Sequence, residues 1–217
     1  MLGLNLSDSH SDSLKILCLG AHCDDIEIGC GGTILRLLSA HPRAEVLWVV
    51  FCSTDERAKE ARECAEEFLR SSAHQRILIS KFRDGFLPYD GPRAKEHFEE
   101  LKKEFDPHII FTHYLQDRHQ DHRLISDLTW NTWRNHFILE YEIPKYDGDL
   151  GSPNIFVELD ETVMTTKVDA IQRCYKSQKS KHWFESDVFL GIARLRGLES
   201  ASKSAEAFYC RKAALHF

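Results

Sequence analysis

The feature that most constrains this chain is an alternation: a short apolar run, a turn, then an amphipathic stretch, three times over in the first half of the sequence, with a fourth apolar run after them. Leu14-Lys-Ile-Leu-Cys-Leu-Gly20 is apolar nearly throughout and stops at a glycine. A run that short and apolar on both faces is the pattern of a strand buried between two layers of a parallel sheet. Residues 31–39 then put Ile34, Leu35, Leu37 and Leu38 on one helical face. His41-Pro42 ends that helix, because the residue before a proline is pushed out of the helical region. The cycle recurs with Ala44 to Ser53 as strand and 55–69 as helix, where Ala61, Cys64, Ala65, Phe68 and Leu69 share a side. It recurs again with a short strand at 76–79, a loop at Phe86-Leu-Pro-Tyr89 and a helix at 93–105, and a fourth strand runs from Pro107 to His113. Strands separated by helices predict an α/β fold: one three-layer α/β/α domain over residues 14–217 with a Rossmann-like, mostly parallel, doubly wound sheet.

The second half is less regular. Residues 124–139 read as a helix, 142–152 as a Pro/Gly/Asp loop, 155–159 as a strand and 162–174 as a helix, while 207–215 fits either a last strand or a last helix. The aromatic-rich stretch from Thr129 to Asp149 exceeds what a loop needs and reads as a pocket wall or as an interface in a homo-oligomer. Residues 1–13 are polar and acidic and read as a flexible tail. They lack the basic and apolar regions of a signal peptide, which points to a cytoplasmic protein. No apolar run approaches the roughly 20 residues that span a bilayer, so no integral membrane segment is expected. A net charge of −6 with basic and acidic residues interspersed argues against a nucleic-acid partner. The 7 cysteines are odd in number, form no C-x-x-C pair and fall mostly in apolar stretches, as small core residues do.

The chemistry-bearing residues gather after two of the strands. The first runs straight into Gly20-Ala-His-Cys-Asp-Asp-Ile-Glu-Ile-Gly-Cys-Gly-Gly-Thr33. Ligands of open parallel sheets bind beyond the carboxyl ends of the strands, so His22, Asp24 and Asp25 stand where chemistry is expected. His22 and Asp25, three apart, can converge on one zinc ion from a turn, which leaves Asp24 free to act as a general base. A plainer alternative is that Asp24 or Asp25 merely caps the following helix, although a cap needs one carboxylate and not a histidine with two. A dinucleotide loop is the alternative for the glycines. Gly29-Cys-Gly31-Gly32 does not continue as G-x-G-x-x-G, since Ile34 stands three after Gly31, and the carboxylates upstream would repel a pyrophosphate. Close packing of the helix backbone suits these glycines better.

The fourth strand ends in His113-Tyr-Leu-Gln-Asp117-Arg-His119-Gln-Asp121-His122-Arg123. Three of the chain's 12 histidines fall in these residues with two aspartates, too dense a cluster for surface filler. His122 supplies a third ligand and leaves the fourth position open, as a catalytic zinc requires. His119 then faces a substrate, and Asp121 or Asp117 can orient an imidazole through its other nitrogen.

Together the two segments resemble the PIG-L/LmbE-like family, zinc-dependent enzymes that deacetylate N-acetylated sugars. Its hallmarks are A-H-P-D-D-x-E-x-G-x-G-G-T after the first strand and D-x-H-x-D-H after the fourth. Here they stand as AHCDDIEIGCGGT, Ala21 to Thr33, and DRHQDH, Asp117 to His122. The resemblance covers residues 14–125 well and the rest loosely. It implies one zinc per chain on His22, Asp25 and His122 at the ends of the first and fourth strands, with Asp24 as the base. It also implies that His119 stabilises the oxyanion or protonates the leaving amine, and that the substrate is a small-molecule or lipid-linked N-acetylated sugar. ERAKEA resembles the family's R-x-x-E-A stretch, which makes Arg57 a substrate-binding residue, and Ser177-Gln178 resembles a recurrent S-Q pair. Arg57, Arg83 and Arg118 are candidates for a phosphate or carboxylate on the aglycone, and Tyr89, Trp130, Trp133, Tyr141 and Trp183 for stacking on a sugar.

One departure is Cys23 where the family has proline, which removes a φ lock and adds a thiol. That thiol is either packed and neutral or a further ligand, and a neighbour of His22 would normally point away from an ion that His22 holds. Two other functions fit the same residues: a metal-dependent hydrolase of another amide or ester, and a non-catalytic carbohydrate-binding zinc protein, which would have no use for Asp24 and His119.

Overall fold

The computed structural model describes Gly3 and residues 14–214, so the expected tail at 1–13 lies almost wholly outside the described residues. In chain order the elements are β1 (Lys15–Gly20), α1 (Asp25–Ala40), β2 (Glu45–Cys52), α2 (Asp55–Phe68), β3 (His74–Phe82), α3 (Gly91–Glu104), β4 (Ile109–His113), α4 (Gln120–Thr132), β5 (Phe137–Tyr141), β6 (Ile155–Glu158), α5 (Glu161–Cys174), α6 (Ser186–Glu199) and β7 (Ala205–Tyr209). They build one seven-stranded sheet in the order β3-β2-β1-β4-β5-β7-β6. The first five strands are parallel, and β7 runs antiparallel to both β5 and β6. The expected mostly parallel α/β fold is thus the observed one.

Alternation along the central strands divides the core. Ile16 and Cys18 of β1 face a layer that includes α1, α2, α5 and α6, while Leu17 and Leu19 face α3 and α4. The chain winds β1 to β3 toward one edge and then returns to place β4 on the other side of β1. The carboxyl ends of β1 and β4 therefore flank the point where the winding reverses, the crevice of such sheets.

Three readings need correction. The stretch 124–139 is not one helix: α4 stops at Thr132 and Phe137 opens β5, whose buried FILEY run pairs with β4. The apolar residues of both elements can be phased onto a single helical face, and tertiary pairing decides otherwise. α6 was not anticipated at all. α1 begins at Asp25, six residues before the expected start at Gly31, because its glycines lie inside the helix and admit neighbours. A Cβ on Gly29 would stand 2.2 Å from the Tyr141 ring, and one on Gly31 2.6 Å from Phe68. Of the stretch 207–215, residues 207–209 close β7, residues 210–214 form neither strand nor helix, and 215 lies outside the described residues. Trp133 and Tyr141 are buried in the core and offer no platform for a sugar.

The second half of the chain braces α1. Glu206 of β7 accepts the Gly32 and Thr33 backbone N–H groups at 2.8 and 2.6 Å and the Lys167 ammonium at 2.6 Å. Lys167 in turn donates to the Ile28 carbonyl at 2.7 Å, so this buried ion pair engages Ile28 and Gly32, one helical turn apart. Tyr175, just beyond α5, is fully buried and donates its hydroxyl to the Cys23 carbonyl.

Candidate active site

The turn after β1 is shaped by its own side chains. His22 donates its backbone N–H to Asp25 Oδ2 at 2.6 Å, which folds the His-Cys-Asp-Asp sequence back on itself. Asp24 occupies the cap position of α1, yet its side chain makes no capping hydrogen bond. The capping alternative therefore fails for Asp24, whose Oδ1 instead takes Arg57 Nη2 at 2.8 Å. Its Oδ2 is buried and has no partner among the described residues. Burial pushes the Asp24 carboxyl up, and the Arg57 guanidinium pulls against it.

The loop after β4 brings the second half of the site. His22 Nδ1 lies 3.1 Å from His122 Nε2 and 3.3 Å from Asp25 Oδ2, and His122 Nε2 lies 3.5 Å from that same oxygen. Tetrahedral zinc with bonds of about 2.0–2.1 Å needs donor atoms about 3.3–3.4 Å apart. This triangle of two imidazole nitrogens and one carboxylate oxygen matches both that spacing and that donor chemistry. Overlapping sets also converge, namely His22, His119 and His122; His22, Asp84, His119 and Asp121; and Asp25, His113 and His122.

Each imidazole is oriented by carboxylates on its far side. His122 Nδ1 meets Asp117 Oδ2 at 2.9 Å, and His22 Nε2 lies 3.1 Å from Asp84 and 3.3 Å from Asp121. Such outer carboxylates fix the ring and strengthen the facing nitrogen as a ligand. Asp121 also takes the N–H groups of Gly85 and Leu87 at 2.7 and 3.2 Å, so it ties the loop after β3 to the site. Burial opposes the charge on His22, but Asp25, Asp121 and Asp84 outweigh it and hold the ring well above its ordinary range. His122 goes the other way, to about 3, because burial and then its neighbour His113 disfavour its proton. Burial would raise Asp25, yet His122, His113 and His22 hold it well below the usual carboxylate range.

His119 caps α4 with its ring, accepting the Asp121 N–H on Nδ1 at 3.3 Å. In the neutral ring that leaves the proton on Nε2. The ring centroid stands 4.8 Å from that of His22 and 4.6 Å from that of His122, and burial followed by His22 keeps its pKa low. Arg57, held by the start of α2, is set against Asp24 and lies 3.9 Å from Asp84. The Cys23 thiol donates to the Cys52 carbonyl at 3.5 Å and is pushed up to about 12 by burial, a packed neutral group.

Two residues here were not picked out from the sequence. His113 is fully buried, accepts the Ala21 N–H on Nε2 at 2.9 Å and stacks on His122 at 3.9 Å between ring centroids. It belonged to the visible histidine cluster, and its place at the end of β4 was the available signal. Asp84 stands alone after β3, where only its position beyond a strand end could have marked it.

Several known proteins are similar to this chain in sequence or in fold. The uncharacterized deacetylase YaiS of Escherichia coli K12 is 28% identical over 169 residues, covering 73% of this chain and 89% of its own. The N,N'-diacetylchitobiose deacetylase of Pyrococcus horikoshii superposes with a TM-score of 0.71 at 23% identity, over 95% of this chain and 86% of that one. GalB of Pseudomonas putida KT2440, a 4-carboxy-2-hydroxymuconate hydratase, gives a TM-score of 0.71 at 17% identity, over 94% and 98%. At these identities the two solved structures speak for the fold alone. Residues 17–133 match the model of the family described as PIG-L, GlcNAc-PI de-N-acetylase, and that is more than half of the chain: it belongs to the PIG-L family.

Proposed function

We propose that this protein is a zinc-dependent hydrolase that removes the acetyl group from an N-acetylated sugar. The observation that carries the reading is the donor triangle of His22, Asp25 and His122 with an unpartnered, buried carboxylate oxygen on Asp24 next to it. A structural zinc site has no use for such a spare base, which counts against a non-catalytic zinc protein. Relatives carrying the name deacetylase support the choice of bond. The fold also carries a hydratase, so the argument rests on the site and not on the architecture.

Zinc bound by His22, Asp25 and His122 would supply Lewis acidity and make water a nucleophile near neutral pH. Asp24 takes the proton from the attacking water on its free oxygen and returns it to the sugar nitrogen as the C–N bond breaks and acetate leaves, while Arg57 holds the other oxygen and fixes the carboxylate's direction. His119, as a neutral ring with its proton on Nε2, donates to the oxyanion that develops from the acetamide carbonyl. Asp117 and Asp121 keep the two ligand imidazoles in place. The test is acetate and free-amine release by zinc-loaded protein from neutral and charged N-acetylglucosaminides, beside their O-acetyl counterparts. Release from the esters alone would replace the amidase with an esterase, and release from neither would end the hydrolase reading.

A further inference from the structure

Asp117 borders a second space. A cavity of about 690 Å³ is lined by Tyr114, Asp117, Arg118, Arg123, Asp149 and Gly151, among others. Its carboxylates are already engaged. Lys145 bridges them, with Nζ 2.8 Å from Asp117 Oδ2 and 2.6 Å from Asp149 Oδ2. Asp117 Oδ1 also takes the His119 N–H at 2.7 Å, and Asp149 the Arg118 N–H at 2.7 Å. The cations of the wall are far less committed. Arg123 gives one Nη1 to the backbone carbonyls of Asp117 and Arg118, which are neutral acceptors. Arg118 is exposed, and among the described residues its guanidinium has neither an ion-pair nor a hydrogen-bond partner. With Lys145 spent on both carboxylates, the unspent donors of the wall belong to the guanidinium groups of Arg118 and Arg123.

A guanidinium presents paired N–H donors at the spacing of two oxygens on a phosphate or carboxylate. Arg123 is held in place by its carbonyl bonds, so it meets a ligand with little loss of freedom. We propose that this cavity is an anion site for a phosphate or carboxylate group, gripped by Arg118 and Arg123 and separated from the His22 and His122 cluster by Asp117. Two sources share that chemistry: an acidic arm on the acetylated sugar itself, or a free anion. Only the first rests on the deacetylase reading.

The zinc-loaded protein is titrated with inorganic phosphate by calorimetry as wild type, Arg118→Ala and Arg118→Lys, with circular dichroism to confirm the fold of each. Phosphate affinity falls about tenfold or more in Arg118→Ala, with Arg118→Lys between, since lysine keeps the charge and loses the fork. Absent binding, or equal affinity in wild type and Arg118→Ala, overturns the site; equality would give the phosphate to the metal. The source is read from acetate release by methyl N-acetylglucosaminide against the same sugar carrying phosphate or carboxymethyl at its anomeric oxygen. A preference for the acidic sugars that Arg118→Ala abolishes through KM identifies the substrate's own arm. No preference, with Arg118-dependent phosphate binding, identifies a free anion. If none of the sugars releases acetate, the deacetylase reading falls and the binding result still decides the anion site.

Discussion

Under the proposed mechanism the base needs an oxygen free to take a proton, and the two oxygens of Asp24 are placed differently. Oδ1 is committed to Arg57, which favours the charged form, and Oδ2 is buried with no hydrogen-bond partner among the described residues. Asp24→Asn keeps size and shape and removes the basicity. It should retain zinc, measured by elemental analysis, and lose about 10²–10⁴-fold in the rate of acetate release. Asp117 acts one step further out. Asp117→Asn weakens the hold on His122 Nδ1 and should lower zinc affinity about 10–100-fold in competition with a chelator, leaving the secondary structure intact. Under the proposed mechanism the two variants separate the loss of a proton carrier from the loss of support for the metal.

At the scale of elements, α1 is the part on which most depends, because it starts at Asp25 and is clamped from behind. Lys167→Met leaves Glu206 buried without its cation and should cost about 3–5 kcal/mol, read as a fall in the urea midpoint. Gly29→Ala drives a methyl toward the Tyr141 ring, whose hydroxyl donates to Leu19 at 2.7 Å, and should cost about 1–3 kcal/mol by the same measurement. The first four strands were legible because each is a short apolar run closed by polar or glycine residues and followed by a helical pattern. β5 was not, since its residues continue the spacing of α4 and only hydrogen bonding to β4 makes them a strand. β7 was ambiguous for a related reason: its partners lie far away in sequence, and no local period encodes an antiparallel insertion between β5 and β6.

For the whole molecule, the site was legible wherever its residues are consecutive. His22, Asp24 and Asp25 come from one turn, and Asp117, His119, Asp121 and His122 from another, so type and spacing exposed them together. Asp84 and the pairing of Arg57 with Asp24 arise from three separate strand ends meeting at one sheet edge, which spacing along the chain does not report. Zinc that binds only the assembled site stabilises the fold by mass action, about 2.7 kcal/mol at a hundredfold excess over Kd. For a chain of this size that is a rise in Tm of about 5–10 °C on adding zinc to stripped protein. His122→Ala should abolish the rise in a thermal-shift measurement.

The braces of α1 and of the turn before it set a limit on how this protein can be dissected. Every residue given a chemical role falls within the family match at 17–133, yet Lys167, Tyr175 and Glu206 all come from after it. A fragment ending at residue 133 would carry all the reagents and lack the vice that holds them. The carboxy-terminal third is thus a jig for an upstream workbench. Chimeras that exchange it between relatives have to carry its buried contacts along with its surface.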